Sequence, residues 1–164
     1  MVGAVILTPD QRAFLDAART ATLATVDPQG RPRLVPICHA LGPDGCAGSP
    51  VLYTPLDEKA KKAADLHDLA RVRDILVLPE VTLLVDRWDE DWSQLAWLRL
   101  YGRAELLEPQ PHEVAEHAAA VGLLRGRYPQ YATHALDALP IIRIRIERAV
   151  AWSADQGAVL PSGR

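Results

Sequence analysis

The chain has 164 residues, of which 49% are hydrophobic and 24% charged, ordinary values for one globular domain with a single core. Its formal net charge of −3 argues against a primary role on nucleic acid or an anionic membrane, so the expected partner is a small molecule. Two cysteines, Cys38 and Cys46, are too few for a disulfide scaffold, and the opening Met1–Leu7 lacks a basic leader and is too short to span a bilayer. A soluble cytoplasmic protein is expected.

In chain order, Thr8-Pro9-Asp10-Gln11 is a helix start, with Thr8 as cap, Pro9 at the first helical position and Gln11 completing a capping box. The spacing of Phe14, Leu15 and Ala18 predicts a helix over about 9–19. Ala21 to Asp27, rich in Thr, Val and Leu, predicts a strand, closed by the turn signal Asp27-Pro28-Gln29-Gly30. A second strand follows over about 31–41, with Pro36 demoting its middle to an edge or a bulge. Gly42 to Pro50 reads as a loop, and Val51–Thr54 as a short third strand ended by Pro55. The period then becomes helical through Leu66, Leu69, Val72 and Ile75.

Val81–Val85 is an apolar run of the kind a buried strand shows, and Leu95–Leu107 reads as the next strand. The acidic connection between them carries Trp88 and Trp92, and Trp97 follows. A helix is predicted over about 111–125 and a short one around 129–138. Ile142 to Glu147 alternates apolar and charged without a break, the clearest strand in the chain, with Ala149–Trp152 as its continuation. The tail from Ser153 has no pattern. Six strands with hairpin connections and short helices predict a mainly β, antiparallel barrel with flanking helices, in a single domain over 1–164 with its core at about 8–152.

Chemistry-bearing residues are few. Lys59, Lys61 and Lys62 fall where a strand ends and a helix begins, and read either as an anion site at a helix start or as a solvated face. Gly42, Gly45 and Gly48 have no helix after them and read as a hairpin loop, not a dinucleotide loop. Asp86, Asp89, Glu90 and Asp91 lack the alternation and glycine of a calcium loop. The histidines are isolated or wrongly spaced for a metal, and Cys38 and His39, adjacent in a strand, point to opposite faces. Arg143 and Arg145 read as facing water. No nucleophile, metal or acid–base constellation is found, so no catalytic residue and no metal ligand is assigned. Any redox chemistry would belong to a bound cofactor.

An ordered series of segments carries a resemblance. Ala21 to Pro32 (Ala-Thr-Leu-Ala-Thr-Val-Asp-Pro-Gln-Gly-Arg-Pro) is followed by Leu52-Tyr53-Thr54 and by Lys59, Lys61 and Lys62. Leu78 to Asp86, then Asp91-Trp92, and finally Trp97 through Gly102-Arg103-Ala104 complete it. Over about residues 8–152 this series resembles the flavin- and deazaflavin-binding split β-barrel superfamily that includes pyridoxamine 5′-phosphate oxidase. The Asp86–Trp92 connection is more similar to the branch that binds the deazaflavin coenzyme F-420.

The resemblance implies a six-stranded split β-barrel and a homodimer with cofactor sites between the subunits. It implies an oxidoreductase transferring a hydride from reduced F-420 to an electron-poor small molecule. Cofactor contacts would fall on Arg33, Val35, Pro36 and Ile37, on Tyr53 and Thr54, on Lys59, Lys61 and Lys62 for the phosphate, and on Asp86, Arg87, Trp88 and Trp92. Flavin oxidases of the superfamily place an arginine before the first lysine, where this chain has Glu58, an acidic group that would repel the phosphate of FMN. The alternatives are an FMN-dependent oxidase or reductase and a non-catalytic binder of the coenzyme or of a tetrapyrrole such as haem.

Overall fold

A computed structural model describes residues 7–44, 48–56 and 65–155. The chain runs α1 (Pro9–Ala17), β1 (Ala21–Val26), β2 (Pro32–Ile37), β3 (Ala40–Leu41), β4 (Val51–Pro55), α2 (Ala70–Val77), β5 (Glu80–Arg87), β6 (Ala96–Leu107), α3 (Val114–Arg127) and β7 (Ile141–Ser153). Two 3-10 turns, Pro129–Thr133 and Leu136–Ala138, stand where a short helix was expected. The capping box on Thr8 and Gln11 is formed in both directions, with Pro9 in the first turn.

All seven strands form one antiparallel sheet in the order β2-β1-β5-β6-β7-β4-β3. The count differs from the expected six because the strand expected over 31–41 is two strands, β2 and β3, separated by Cys38 and His39. These two strands occupy opposite edges of the sheet. One short stretch of chain therefore joins the sheet's own edges, and the sheet curls into a barrel that stays split at that point. The break falls two residues beyond Pro36, which lies in β2, paired with Thr22.

Alternation sorts the side chains by face. Leu23, Leu83, Leu98, Leu100, Ile144 and Ile146 point inward and are fully buried, and Leu15 of α1 with Val72 and Ile75 of α2 joins the same core. A second cluster lies outside the barrel wall, where Ala120, Val121 and Leu124 of α3 cover Val51, Tyr53, Leu107 and Ile141.

β6 and β7 pair along twelve residues with one register shift, a bulge between Tyr101 and Gly102. A Cβ at Gly102 would overlap the Arg145 carbonyl of β7, so this crossing requires glycine. Ala149–Trp152 does continue the last strand, and Trp152 stands opposite Trp97. No helix among the described residues is long and apolar enough to cross a membrane.

Candidate functional site

The strand register gathers several of the sequence-predicted contacts at one end of the sheet. Pro36 pairs with Thr22, Thr22 with Leu84, and Asp86 follows two residues on. At about 4.8 Å between neighbouring strands, the C-terminal half of β2 lies roughly 10 Å from the end of β5, with β1 between them. Ile37 leads through Cys38-His39 to Ala40, which pairs with Tyr53 of β4. The C-terminal half of β2 thus has the end of β5 on one side, across β1, and β3 with β4 on the other, across the split.

On β2, Pro36 is exposed on the outer face, Val35 is half-buried against the core and Ile37 is buried within it. As an edge strand, β2 leaves one row of backbone N–H and C=O groups without a sheet partner, a surface on which a planar ligand can be hydrogen-bonded. Arg33 is only in part available. Its Nε donates to Asp74 Oδ2 at 2.8 Å, and Thr25 Oγ1 donates to the same oxygen at 2.8 Å. Asp74 is a buried carboxylate on α2, so Arg33 serves first to hold that helix to the barrel. The contact with Asp74 raises the Arg33 pKa further.

On β4, Tyr53 and Thr54 point to opposite faces. Tyr53 is buried beneath α3 and its hydroxyl donates to Glu116 Oε1 at 2.8 Å. Burial, and after it the hydrogen bond to Glu116, raises its pKa. Thr54 is fully buried, and its hydroxyl has no hydrogen-bond partner among the described residues. Lys59, Lys61 and Lys62 lie outside the described residues.

Asp86 and Arg87 at the end of β5, and Trp88 and Trp92 after it, are all exposed, with Trp88 at 67% and Trp92 at 69%. Arg87 Nε donates to the Gln94 carbonyl at 2.7 Å and its guanidinium lies 5.8 Å from the Phe14 ring. Asp86, Arg87 and Trp88 share a cavity of about 320 Å³ with Phe14, Ala17 and Ala18 of α1. Asp91 accepts from both the hydroxyl and the backbone N–H of Ser93, and these bonds lower its pKa.

The α1 wall of that cavity was not foreseen, because Phe14, Ala17 and Ala18 read simply as the apolar side of a helix. Asp74 was also missed. The signal lay in an acidic residue placed between Val72 and Ile75, the buried positions of α2.

Arg143 does not face water. It donates to Glu105 at 2.6 Å, Glu113 at 2.8 Å and Glu116 at 2.6 Å, with its side chain 14% exposed. Burial opposes its charge, but the bonds to Glu105 and Glu113 overcome that and raise its pKa. The residue joins α3 to the sheet, and through Glu116 it also positions Tyr53.

Comparison with known proteins agrees with this architecture. The family described as pyridoxamine 5′-phosphate oxidase matches residues 7–153. The chain belongs to that family. No curated protein sequence matches it.

Among solved structures, a conserved hypothetical protein from Mycobacterium tuberculosis aligns over 100% of this chain and 96% of its own, at 20% identity and a TM-score of 0.68. The heme storage protein from Vibrio cholerae aligns over 91% of this chain and 95% of its own, at 18% identity and a TM-score of 0.64. A structure described as an F-420 reductase aligns over 84% of this chain and 94% of its own, at 23% identity and a TM-score of 0.58. At these identities the likeness is one of fold.

Proposed function

We propose that this member of the pyridoxamine 5′-phosphate oxidase family is an oxidoreductase that binds the deazaflavin coenzyme F-420. The observation that carries the reading is the free edge of β2 beside the end of β5. The C-terminal half of edge strand β2, with one row of free backbone groups, and the exposed Asp86–Trp92 segment border one end of the sheet, with β1 between them. Glu58, next to Lys59 where the flavin oxidases carry arginine, favours F-420 over FMN. The likeness to an F-420 reductase supports the same choice.

When bound, the coenzyme supplies a hydride from C5 of its deazaflavin ring to an electron-poor small molecule. The protein binds, orients and excludes water. Lys59, Lys61 and Lys62 would neutralise the phosphate, and Arg87 would meet the acidic tail. Val35, Pro36 and the backbone of β2 line the ring, with Trp88 and Trp92 covering it. Tyr101, on the outer sheet face, or Tyr53 would supply the proton to product, and Tyr53 does so less readily because its pKa is raised.

A homodimer fits the outer face of the sheet. Leu34 is 65% exposed, Leu84 38% and Trp152 40%, and all three project from that face beside Trp97 and Tyr101. A second copy covering this patch would bring two cofactor strips together.

The deciding experiment is titration of the purified protein with F-420 and with FMN side by side, followed by fluorescence. The reading expects saturable binding of F-420, weaker binding of FMN, and a loss of roughly a hundredfold in F-420 affinity for Lys59→Ala/Lys61→Ala. Unchanged affinity in the double variant sinks it. A second reading, a non-catalytic carrier of the coenzyme or of a tetrapyrrole, is favoured by the likeness to a heme storage protein. Tight binding without oxidation of the reduced coenzyme across a panel of acceptors would select it.

A further inference from the structure

A second cavity, of about 350 Å³, opens beside the barrel split and shares no residue with the proposed cofactor strip. Arg19 and Thr20 before β1, Cys38 in the break between β2 and β3, and Tyr128, Gln130, Tyr131 and His134 after α3 line it. Its size falls at the lower end of small-molecule sites, which run from roughly 300 Å³ upward.

The wall is aromatic and rigid. Tyr128 and Tyr131 pack edge to face with ring centres 5.7 Å apart, and Tyr131 packs the same way on His134 at 5.4 Å. Tyr128 is held from behind, because its hydroxyl accepts from the His39 N–H at 3.0 Å and lies 2.9 Å from both the His39 and Arg19 carbonyls. Pinned aromatic edges and faces of this kind favour a flat ring as occupant.

The rim is cationic. The Arg19 guanidinium stacks over the Tyr128 ring at 4.6 Å and donates from Nη2 to the Arg127 carbonyl at 2.7 Å. No acidic side chain among the described residues lies within ion-pair distance of Arg19. The Arg127 guanidinium lies 5.6 Å from the same ring centre, and its ion-pair partner among the described residues is Asp16 at 3.8 Å. Buried His39, just behind the wall, responds to this positive field, since burial and then the charges of Arg127 and Arg19 lower its pKa.

We infer that this cavity is a binding site for a small planar aromatic carboxylate, its ring against Tyr128, Tyr131 and His134 and its carboxylate on Arg19. A guanidinium stacked on Tyr128 and without a carboxylate partner among the described residues, beside an apolar aromatic slot, selects for that combination of ring and anion. The site does not depend on the cofactor assignment.

The test uses the full chain without added cofactor, titrated calorimetrically with 1-naphthoate, its uncharged analogue 1-naphthamide and the non-aromatic hexanoate. Saturable one-to-one binding of naphthoate is expected, about tenfold tighter than naphthamide, with hexanoate weaker still. Arg19→Gln should remove the preference for the acid while leaving naphthamide unchanged. In a Cys46→Ser background, bound naphthoate should slow alkylation of Cys38 by N-ethylmaleimide, a readout that needs no further folded variant. Absence of saturable binding, equal affinity for acid and amide, or binding indifferent to Arg19→Gln with no protection of Cys38 overturns the proposal.

Discussion

Asp74 of α2 accepts a hydrogen bond from Arg33 of β2 at 2.8 Å, across 41 residues of sequence, on the same oxygen that receives the Thr25 hydroxyl. A residue whose place in the family pattern implies a cofactor contact is therefore committed to a buried carboxylate. The two roles separate experimentally. Asp74→Ala strands a guanidinium and a buried hydroxyl, and should lower unfolding free energy by about 3 kcal/mol. Asp74→Asn keeps an acceptor and should cost less. Arg33→Gln should shift the urea midpoint while changing F-420 affinity by only a few-fold. A large loss of affinity at unchanged stability would make Arg33 a ligand contact first.

The glycines of this chain give opposite expectations according to what surrounds them. At Gly102 a Cβ would meet the Arg145 carbonyl, which is backbone and cannot turn aside. Gly102→Ala should cost about 3 kcal/mol or more and shift the β6–β7 register at the bulge. Gly122 and Gly126 lie on the exposed side of α3 with nothing within 4 Å of an added Cβ. Alanine at either should stabilise the protein by roughly 0.5–1 kcal/mol. Thermal unfolding of the three single variants checks both signs together.

These contrasts show where sequence patterns reach and where they stop. β5, expected as a buried run, turns Leu84 outward at 38% exposure. The inward face of β7 was legible because alternation is local, and the capping box on Thr8 because its partners are three residues apart. The division of the strand over 31–41 was not, since Cys38 and His39 are unremarkable in composition. Only the closure of the sheet requires a break there. The Arg143 cluster was hidden for the same reason. Glu105, Glu113 and Glu116 come from β6 and the start of α3, and nothing in Ile-Arg-Ile-Arg-Ile reveals that one arginine meets three carboxylates. Of the candidate site, the exposed connection after β5 was legible as a segment, while the α1 wall facing it depends on packing.

His67 ties the chain before α2 to the end of β6. Its two ring nitrogens lie 2.7 Å from Asp65 and 2.6 Å from Glu108, and the bonds to Glu108 and then Asp65 raise its pKa. A raised folded-state value means that the contribution is fully present below about pH 6.5, the unfolded value, and fades as pH rises through the folded one. With the side chain 45% exposed, the effect is small and screened by salt. His67→Ala should therefore destabilise the protein more at pH 6 than at pH 8.5, and the difference should shrink at high ionic strength. Equal losses at the two pH values would remove the ion pairs from the account.

His39 has the opposite sign and a larger effect. It is 1% exposed, and burial, followed by the charge of Arg127, lowers its pKa to about 4 against the raising effect of the Ala18 backbone. Above the unfolded value of 6.5 the imidazole is neutral in both states and adds no pH dependence. As pH falls below 6.5 the unfolded chain takes up a proton that the folded one refuses, so stability declines until the folded group titrates near pH 4. The loss attributable to this residue should reach about 3 kcal/mol over that interval. Replacing it by leucine removes both the titration and two buried polar nitrogens. His39→Leu should match or exceed the parent at pH 7.5 and surpass it clearly at pH 4.5 in urea unfolding. Parallel pH profiles for the two proteins would show that His39 is protonated, and paired, within the fold.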